Sequence, residues 1–155
     1  MINARCFFPS VLLTLACGAM ILASCGGEEE PSGPPKESLT AREKLPQEYK
    51  DKVNPYAGDK ATAEVIAQGK ASYEANCLTC HGATGLGDGN GGTMLNPKPG
   101  DLTSADVQSK VSDQYIFWRI TVGGTPFGTG MTAFEMSIPE DDRWKIVAYV
   151  RTLKK

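Results

Sequence analysis

The stretch Cys77-Leu78-Thr79-Cys80-His81 decides the fold of this 155-residue chain. Two cysteines separated by two residues and followed directly by a histidine have the spacing of covalent haem attachment. The two thiols add to the two vinyl groups on one edge of the porphyrin, and the histidine that follows ligates the iron. The stretch therefore predicts one covalently bound haem c, with Cys77 and Cys80 as attachment points and His81 as an iron ligand.

Two other kinds of site use the same cysteine spacing. A thioredoxin-like redox pair would need alternating strands and helices around it, which the sequence does not indicate. A zinc site would need a fourth ligand, but the chain has no other histidine and its other cysteines lie far upstream. Haem attachment is therefore the preferred interpretation.

The composition narrows the choice of function further. The net charge is −2, so no basic excess indicates binding to nucleic acid. Three of the five cysteines lie within the first 25 residues, which leaves no thiol for a structural disulfide in the rest of the chain. The length allows one modest domain with appendages.

The first 24 residues are typical of an export signal. Arg5 gives a positive start, and residues 7–23 are mostly apolar but too short and too interrupted for a comfortable membrane span. The sequence LASC at residues 22–25 resembles a bacterial lipobox and predicts lipidation of Cys25. The alternatives are a secretory peptide cleaved near Ala23 or an uncleaved anchor. Export to the cell envelope agrees with haem attachment, which in bacteria takes place outside the cytoplasmic membrane.

Residues 25–60 form the predicted linker. They open with a run of glycine, proline and glutamate that cannot bury a core, and we expect this run to be disordered and solvated. Its three glutamates are either a solvated spacer or a sorting address after the lipidated cysteine. We expect the folded domain to cover residues 61–155, with the boundary near Asn54-Pro55-Tyr56.

Three helices are predicted in this domain, so the expected fold class is all-α. The first covers residues 62–76, begins at the N-cap Thr62, and keeps Gly69, Tyr73 and Cys77 on one face. A glycine inside a helix costs about 1 kcal/mol relative to alanine, which suggests that another helix crosses there. The second and third helices are predicted over residues 112–122 and 139–153.

A glycine-rich loop, residues 82–92, follows the histidine. No strand precedes its GxGxxG pattern, which argues against a nucleotide-binding loop, and the closing glutamate of a calcium loop is missing. We expect this loop to lie against the flat edge of the haem, where the backbone must come close. A carbonyl in the extended run 95–102 is the expected acceptor for the second imidazole N–H of His81.

The second axial ligand of the iron must be a methionine, a weaker group or nothing, because the chain has one histidine. Met131 lies in mid-loop after glycines, which would let the loop wrap to the distal face of the haem. Met136 and Met94 are alternatives, since any of these loop methionines can instead fill a gap in the core. Thioether ligation would favour ferrous iron and raise the reduction potential.

Trp118 and Arg119 are candidates for contact with the haem propionates. The indole N–H of Trp118 can donate a hydrogen bond to a carboxylate, and the guanidinium of Arg119 can pair with one by charge. The alternatives are core packing for Trp118 and an ordinary surface position for Arg119.

From about residue 62 onward, the chain resembles the class I c-type cytochromes. In that family, a glycine and an aromatic residue on the first helix cross an apolar stretch on the last helix. Here Gly69 and Tyr73 match the first helix, and the stretch Ile146-Val147-Ala148-Tyr149 matches the last. The resemblance implies a bundle of short helices wrapped around one covalently bound haem.

The resemblance also implies roles for individual residues. His81 matches the proximal ligand of the iron, and Met131 matches the distal one. By position, Pro97 matches the proline whose carbonyl holds the proximal histidine, and Pro99 competes with it. Thr132 departs from the proline that usually follows the distal methionine in bacterial members.

The function implied by the resemblance is one-electron transfer, with no substrate transformed by the protein itself. The electron would come from a membrane respiratory donor and pass to an oxidase or a soluble carrier. The lipid anchor and the helix containing residues 115–121 are similar to the small cytochrome subunit of alternative complex III-type quinol oxidoreductases. Residues 61–155 carry nine basic and ten acidic side chains, so docking is expected to rely on the apolar haem edge.

One function of another class remains as an alternative. A haem-based sensor or peroxidase-like enzyme would keep the sixth iron position open, and it predicts that Met131 does not bind the iron.

Overall fold

The computed structural model of the protein describes residues 44–155, which fold into helices joined by loops, with no strand among them. This confirms the predicted all-α class. None of the helices in this range has both the length and the apolar character needed to cross a bilayer. The α-helices are α1 Gln47–Lys50, α2 Ala63–Asn76, α3 Leu78–His81, α4 Asp113–Val122 and α5 Glu140–Thr152. Short 3-10 turns cover Gly58–Lys60, Asn90–Gly92 and Thr125–Phe127, and a π-helical turn covers Asp106–Lys110.

The three long helices begin where their sequences predict. The hydroxyl of Thr62 accepts a hydrogen bond from the backbone N–H of Val65, and that of Ser112 accepts one from Tyr115. Each hydroxyl satisfies a backbone donor that the first turn of a helix leaves without a partner. The last helix, α5, follows Pro139 and opens with three acidic residues, which suit the positive end of the helix dipole.

Helices α2 and α5 cross in direct backbone contact at Gly69. A Cβ atom at Gly69 would lie 2.1 Å from the carbonyl oxygen of Lys145, so no side chain fits there. One turn further along, the rings of Tyr73 and Tyr149 pack with their centroids 5.2 Å apart. The helix crossing predicted from the glycine is therefore present, and it positions the end of α2 that leads into Cys77.

The core between α4 and α5 is built on one aromatic pair. The rings of Phe117 and Trp144 stack with their centroids 4.0 Å apart and their planes 11° apart. Val147 and Ile146 on α5 are fully buried beside them. This pair fixes the rotation of α4 about its own axis, and therefore which side chains of α4 face inward.

A segment before the predicted domain also packs onto it. We call residues 45–56 the N-terminal strap. Leu45 is buried, and the ring of Tyr49 lies 6.3 Å from that of Phe117 and 6.2 Å from that of Trp118. The strap thus covers the face of α4 that carries Trp118.

Polar contacts hold the strap to the starts of α4 and α5. The side-chain amide of Asn54 donates to Asp113 at 2.7 Å, and that of Gln114 donates to the carbonyl of Lys52 at 3.0 Å. Lys52 also forms an ion pair with Glu140 at 2.8 Å. Residues 45–56, which were predicted to lie in the linker, are therefore packed onto the domain.

The π-helical turn is held to α5 by Arg151. Its guanidinium donates to the carboxylate of Asp113 at 2.7 Å and to the carbonyl of Val107 at 2.9 Å. The side-chain amide of Gln108 donates to the carbonyl of Val150 at 2.9 Å. These bonds provide partners for backbone carbonyl groups in and near the π-helical turn that have no partner within a regular helix.

Candidate functional site

The residues of the haem-attachment stretch line a cavity between the helices. Its walls come from the α2–α3 junction, the extended segment 95–102, one face of α4, the loop 129–134 and the inner face of α5. The lining is mostly apolar, and within residues 44–155 no carboxylate contributes to it. Such a wall suits a large apolar ring whose own acidic groups find cationic partners.

The two attachment cysteines are placed by the turn that joins α2 to α3. The backbone N–H groups of Cys80 and His81 donate to the carbonyl of Cys77 at 3.1 and 2.9 Å, so all three residues belong to one helical turn. Neither cysteine forms a disulfide within the described residues. Burial raises the pKa of Cys77 to about 12, with the neighbouring Cys80 as the second cause. This pKa applies to the cysteine before haem attachment, since the thioether bond leaves no proton to titrate.

His81 lines the same cavity and has a ring nitrogen without a partner. Its Nδ1 atom is buried and makes no hydrogen bond within the described part of the chain. Burial lowers the pKa of His81, and the backbone of Gly100 acts in the opposite direction. Burial thus favours the neutral imidazole, which is the form that binds metals through one ring nitrogen.

The backbone group that acts on His81 belongs to Gly100, not to the predicted Pro97. Pro97 and its competitor Pro99 both line the cavity, but no hydrogen bond joins His81 to either carbonyl within residues 44–155. The extended segment holds several carbonyls within a few residues of one another. Its path past the imidazole, which the sequence does not determine, decides which carbonyl lies nearest.

The glycine-rich loop packs against the protein and not along the cavity. None of residues 82–92 lines the cavity, contrary to the expectation that this loop follows the haem edge. A Cβ atom at Gly89 would lie 2.4 Å from the carbonyl oxygen of Thr79, and one at Gly91 would lie 2.7 Å from its methyl carbon. The loop therefore braces α3 from outside, and its glycines are needed because the backbone of α3 is so close.

The loop that carries Met131 is fixed to the end of α4. The backbone N–H of Gly124 donates to the carbonyl of Met131 at 2.8 Å, and that of Phe134 donates to the carbonyl of Ile120 at 3.0 Å. A Cβ atom at Gly123 would lie 2.8 Å from the same Met131 oxygen, and its φ of 72° favours glycine. These contacts bring Met131 into the wall of the cavity that holds His81.

The two alternative methionines lie at the surface. Met94 is 90% exposed and Met136 is 96% exposed, and neither lines the cavity. In this arrangement, Met131 is the methionine that the structure brings together with His81 and both attachment cysteines.

Trp118 and Arg119 occupy different environments although they are adjacent. Trp118 is buried outside the cavity, in edge-to-face contact with Phe127 at 5.0 Å and Tyr115 at 5.8 Å. Arg119 lines the cavity, where it donates to the hydroxyl of Thr129 at 3.2 Å and lies 4.3 Å above the ring of Phe127. Core packing, the alternative for Trp118, is what the structure has, whereas Arg119 faces the cavity.

Two further polar residues of the lining were not singled out from the sequence. Lys98 lines the cavity from the extended segment, and Tyr115 lines it one turn before Arg119 on α4. The four-residue spacing of Tyr115 and Arg119 on a predicted helix could have indicated a shared face. Lys98 and Arg119 are the cationic side chains that would meet haem propionates, and burial lowers the pKa of Arg119.

The residues present fit haem c. Two cysteines on one helical turn, a buried imidazole and a thioether line one apolar cavity that has two cations in its wall. The predicted lipidation site, Cys25, lies outside the described residues, as does the predicted signal segment 1–24.

Comparisons with known proteins agree with this site. Residues 66–154 match the cytochrome c family. Cytochrome c-554(547) of Halothiobacillus neapolitanus is 31% identical over 93 residues, which cover 57% of this chain and 96% of that protein. A chain of the reducing HAO-like protein complex of Kuenenia stuttgartiensis has a similar structure, with a TM-score of 0.52 and 30% identity. That match covers 61% of this chain and 46% of the other, so this chain spans about half the length of that relative. The KustC0563 c-type cytochrome is 30% identical, with a TM-score of 0.48, over 56% of this chain and 98% of its own.

Proposed function

Because this chain belongs to the cytochrome c family, whose members carry covalent haem c and transfer electrons, we propose that it is a lipid-anchored one-electron carrier with His/Met-ligated iron. Haem c supplies a single iron that alternates between the ferrous and ferric states. In this proposal Cys77 and Cys80 hold the haem, and His81 and Met131 ligate its iron. No bond of any substrate is made or broken.

The protein holds both proposed iron ligands rigidly and keeps water away from the iron. His81 is presented by a turn whose hydrogen bonds are already formed, and Met131 is held by the backbone of Gly124. Apolar side chains line most of the cavity, which keeps water from the iron. Fixed ligands and little water reduce the rearrangement that accompanies a change of charge, which favours fast electron transfer.

One observation carries the choice of a closed, His/Met-ligated site. Met131 lines the cavity that contains His81, while Met94 and Met136 are almost fully exposed. A sensor or peroxidase-like enzyme would instead need an open iron position, which a methionine in the cavity wall would tend to fill.

An optical redox titration of the haem-loaded protein tests this proposal, with carbon monoxide added to the reduced form. We expect a low-spin spectrum, a reversible one-electron couple and no binding of carbon monoxide. Met131→Ala should bind carbon monoxide readily, whereas the control Met136→Ala should not. A high-spin iron in the unaltered protein that binds carbon monoxide would overturn the ligand assignment and favour the sensor or enzyme function.

The surface around the Met131 loop and the extended segment indicates what kind of redox partner would bind this protein. Residues 89–97 and 123–134 carry no charged side chain, and Met94 is exposed among them. A partner that docks here would do so through apolar contact, with little electrostatic steering. We propose a membrane respiratory complex, such as one of the alternative complex III type, as the donor, and an oxidase or a soluble carrier as the acceptor.

A permanent place in a complex is the alternative to a mobile carrier. The similar chain in the reducing HAO-like protein complex supports this alternative, because that chain is part of an assembly. Purification from detergent-solubilised membranes distinguishes them: a subunit stays with other haem proteins at high salt, whereas a mobile carrier elutes alone.

A further inference from the structure

Arg143 is a buried cation without an acidic partner in the described part of the chain. Its side chain is 6% exposed, and no carboxylate of residues 44–155 lies within ion-pair distance of it. Its Nη1 atom donates to the hydroxyl of Thr121, whereas its Nε atom is buried and finds no hydrogen-bond partner among residues 44–155. Its guanidinium also lies 5.0 Å from the centre of the Phe117 ring.

This arrangement is costly for folding. A buried charge normally needs an ion pair and full hydrogen bonding, and arginine does not lose its proton in proteins. Arg143 also lies in the first turn of α5, at the positive end of the helix dipole, which disfavours a cation. The nearby Glu140 pairs with Lys52 at 2.8 Å and remains half exposed. The Phe117 ring and the longer-range attraction to Glu140, whose pKa Arg143 helps to lower, offset only part of this cost. No ion pair within the described residues offsets the rest, which suggests a use for the charge.

The position of Arg143 relates it to the cavity. Its partner Thr121 follows Ile120, whose side chain lines the cavity. The carbonyl of Thr121 accepts the N–H of Glu135 at 3.2 Å, so the same residue also anchors the end of the Met131 loop. Arg143 thus lies one layer of residues behind the wall that contains Met131.

The space between Arg143 and the cavity is dry. Ile120, Phe117, Ile146 and Val147 are each exposed by less than 5%. Water therefore screens the charge of Arg143 poorly on the cavity side, and its field acts through a medium of low dielectric constant.

We propose that Arg143 sets the reduction potential of the bound haem by placing an unpaired positive charge behind the distal wall. The inference rests on the proposed function, in which haem c occupies the cavity. Ferric iron carries one positive charge more than ferrous iron, so a nearby cation disfavours the oxidised state. By Coulomb's law, two unit charges on the order of 12 Å apart at an effective dielectric constant of about 20 shift such a ratio about tenfold.

The test measures this ratio in the haem-loaded protein by optical titration against a redox buffer. Arg143→Met removes the charge and keeps most of the length, and Arg143→Lys keeps the charge and loses the fork of donors. Thr121→Asp leaves Arg143 in place but puts a carboxylate beside it, which offers a second route should Arg143→Met fail to load haem. Lys154→Gln removes an exposed charge near the C-terminus and serves as the control.

We expect Arg143→Met and Thr121→Asp to raise the oxidised-to-reduced ratio about tenfold at a fixed potential, at both low and high salt. Arg143→Lys should stay within about threefold of the unaltered protein, and Lys154→Gln should have little effect at high salt. The inference is overturned if Arg143→Met and Thr121→Asp shift the ratio no more than Lys154→Gln does. It is also overturned if Arg143→Lys shifts it as much as Arg143→Met, since packing would then be the cause.

Failure of this inference is distinguishable from failure of the proposed function. If the proposed function is right, the unaltered protein shows a reversible one-electron couple and does not bind carbon monoxide. This result does not depend on the role of Arg143. The ratio in the variants is informative only about the charge, and a carbon monoxide test on each variant shows whether Met131 is still bound.

Discussion

At the scale of one residue, Gly69 lets helices α2 and α5 approach closely because it has no side chain. The carbonyl oxygen of Lys145 would lie 2.1 Å from a Cβ atom at this position, and a backbone atom in the middle of a helix cannot swing aside. The distance between α2 and α5 is therefore set by this glycine. Since Cys77 directly follows α2, the same residue also helps to position the haem-attachment turn.

Gly69→Val should reduce the free energy of unfolding by about 3 kcal/mol, because the two helices must separate to admit the side chain. Guanidinium-induced unfolding of the haem-loaded protein measures this change. The matched control is Ala67→Val, since Ala67 is exposed on the same helix. We expect that control to stay within about 0.5 kcal/mol of the unaltered protein. A Gly69→Val protein of normal stability would show that the helices do not depend on this contact.

The roles of single residues could be predicted from the sequence where the residue type and its spacing were sufficient to indicate the role. The attachment cysteines, His81 and Gly69 are recognisable by type and spacing alone. Trp118 and Arg119 are different, because adjacent residues on a helix point about 100° apart. Which of them faces the cavity depends on the rotation of α4, and the stacking of Phe117 on Trp144 sets that rotation through contacts distant in sequence.

At the scale of elements, the N-terminal strap is the addition that the sequence did not reveal. Its helix, α1, has four residues, too few for a hydrophobic period to be visible. The packing role of Leu45 and Tyr49 is visible only in the structure, where they cover the aromatic face of α4. The longer helices could be predicted well because their caps, Thr62 and Ser112, act on neighbouring residues.

Asn54→Ala should loosen the strap. The side chain of Asn54 is buried, donates to Asp113 at 2.7 Å and accepts the backbone N–H of Tyr56 at 2.8 Å. Loss of both bonds should cost about 1–2 kcal/mol of unfolding free energy, since one of them has a charged partner. Limited proteolysis should also cut faster within residues 45–56. The neighbouring Val53→Ala is the control, because Val53 is 82% exposed; an equal effect of both changes would contradict the assignment.

The ion pair of the strap with α5 should make stability depend on pH. The hydrogen bond from Lys52 is the largest cause that lowers the pKa of Glu140 below its ordinary value of 4.5. A carboxyl with a lowered pKa in the folded state stabilises the protein above its ordinary value, and this stabilisation is lost as the pH falls through the folded-state pKa.

Glu140→Gln should therefore lower the stability at pH 7 by up to about 1 kcal/mol, as expected for an exposed pair. The difference from the unaltered protein should shrink as the pH is lowered below 4.5. Unfolding midpoints measured across that range provide the test, and Glu48→Gln, on the exposed side of α1, is the control. A difference that is the same at every pH would assign the effect to packing instead of charge.

At the scale of the whole molecule, the all-α class and the haem c cofactor could be predicted because one short motif determines both. The motif did not predict which loop segments pack around the cavity. The glycine-rich loop braces α3, and the backbone of Gly100 affects the pKa of His81, because two loops without helical periodicity pass each other there. Such packing depends on the complete path of the chain and has no local sequence signal.

Cys25→Ser should release the haem-loaded protein from the membrane fraction of expressing cells. A lipid chain on the cysteine would supply the apolar surface that holds the protein at a bilayer. Fractionation followed by haem staining measures the distribution. Cys17→Ser is the matched control, since it changes a cysteine of the predicted export segment and should leave the protein at the membrane. Retention of the Cys25→Ser protein at the membrane would contradict lipid anchoring at this position.

The N-terminal strap has a mechanical consequence. A pulling force applied at Lys44, the first described residue, is borne by the contacts of Leu45, Tyr49 and Asn54. These contacts transfer the load to α4 and to the start of α5, where Asp113 and Glu140 lie. The turn that carries Cys77 comes after the strap in the path of the force. A force applied at Lys44 would therefore peel residues 45–56 away before it strained the turn that carries Cys77, so the strap would protect the proposed haem site from mechanical load.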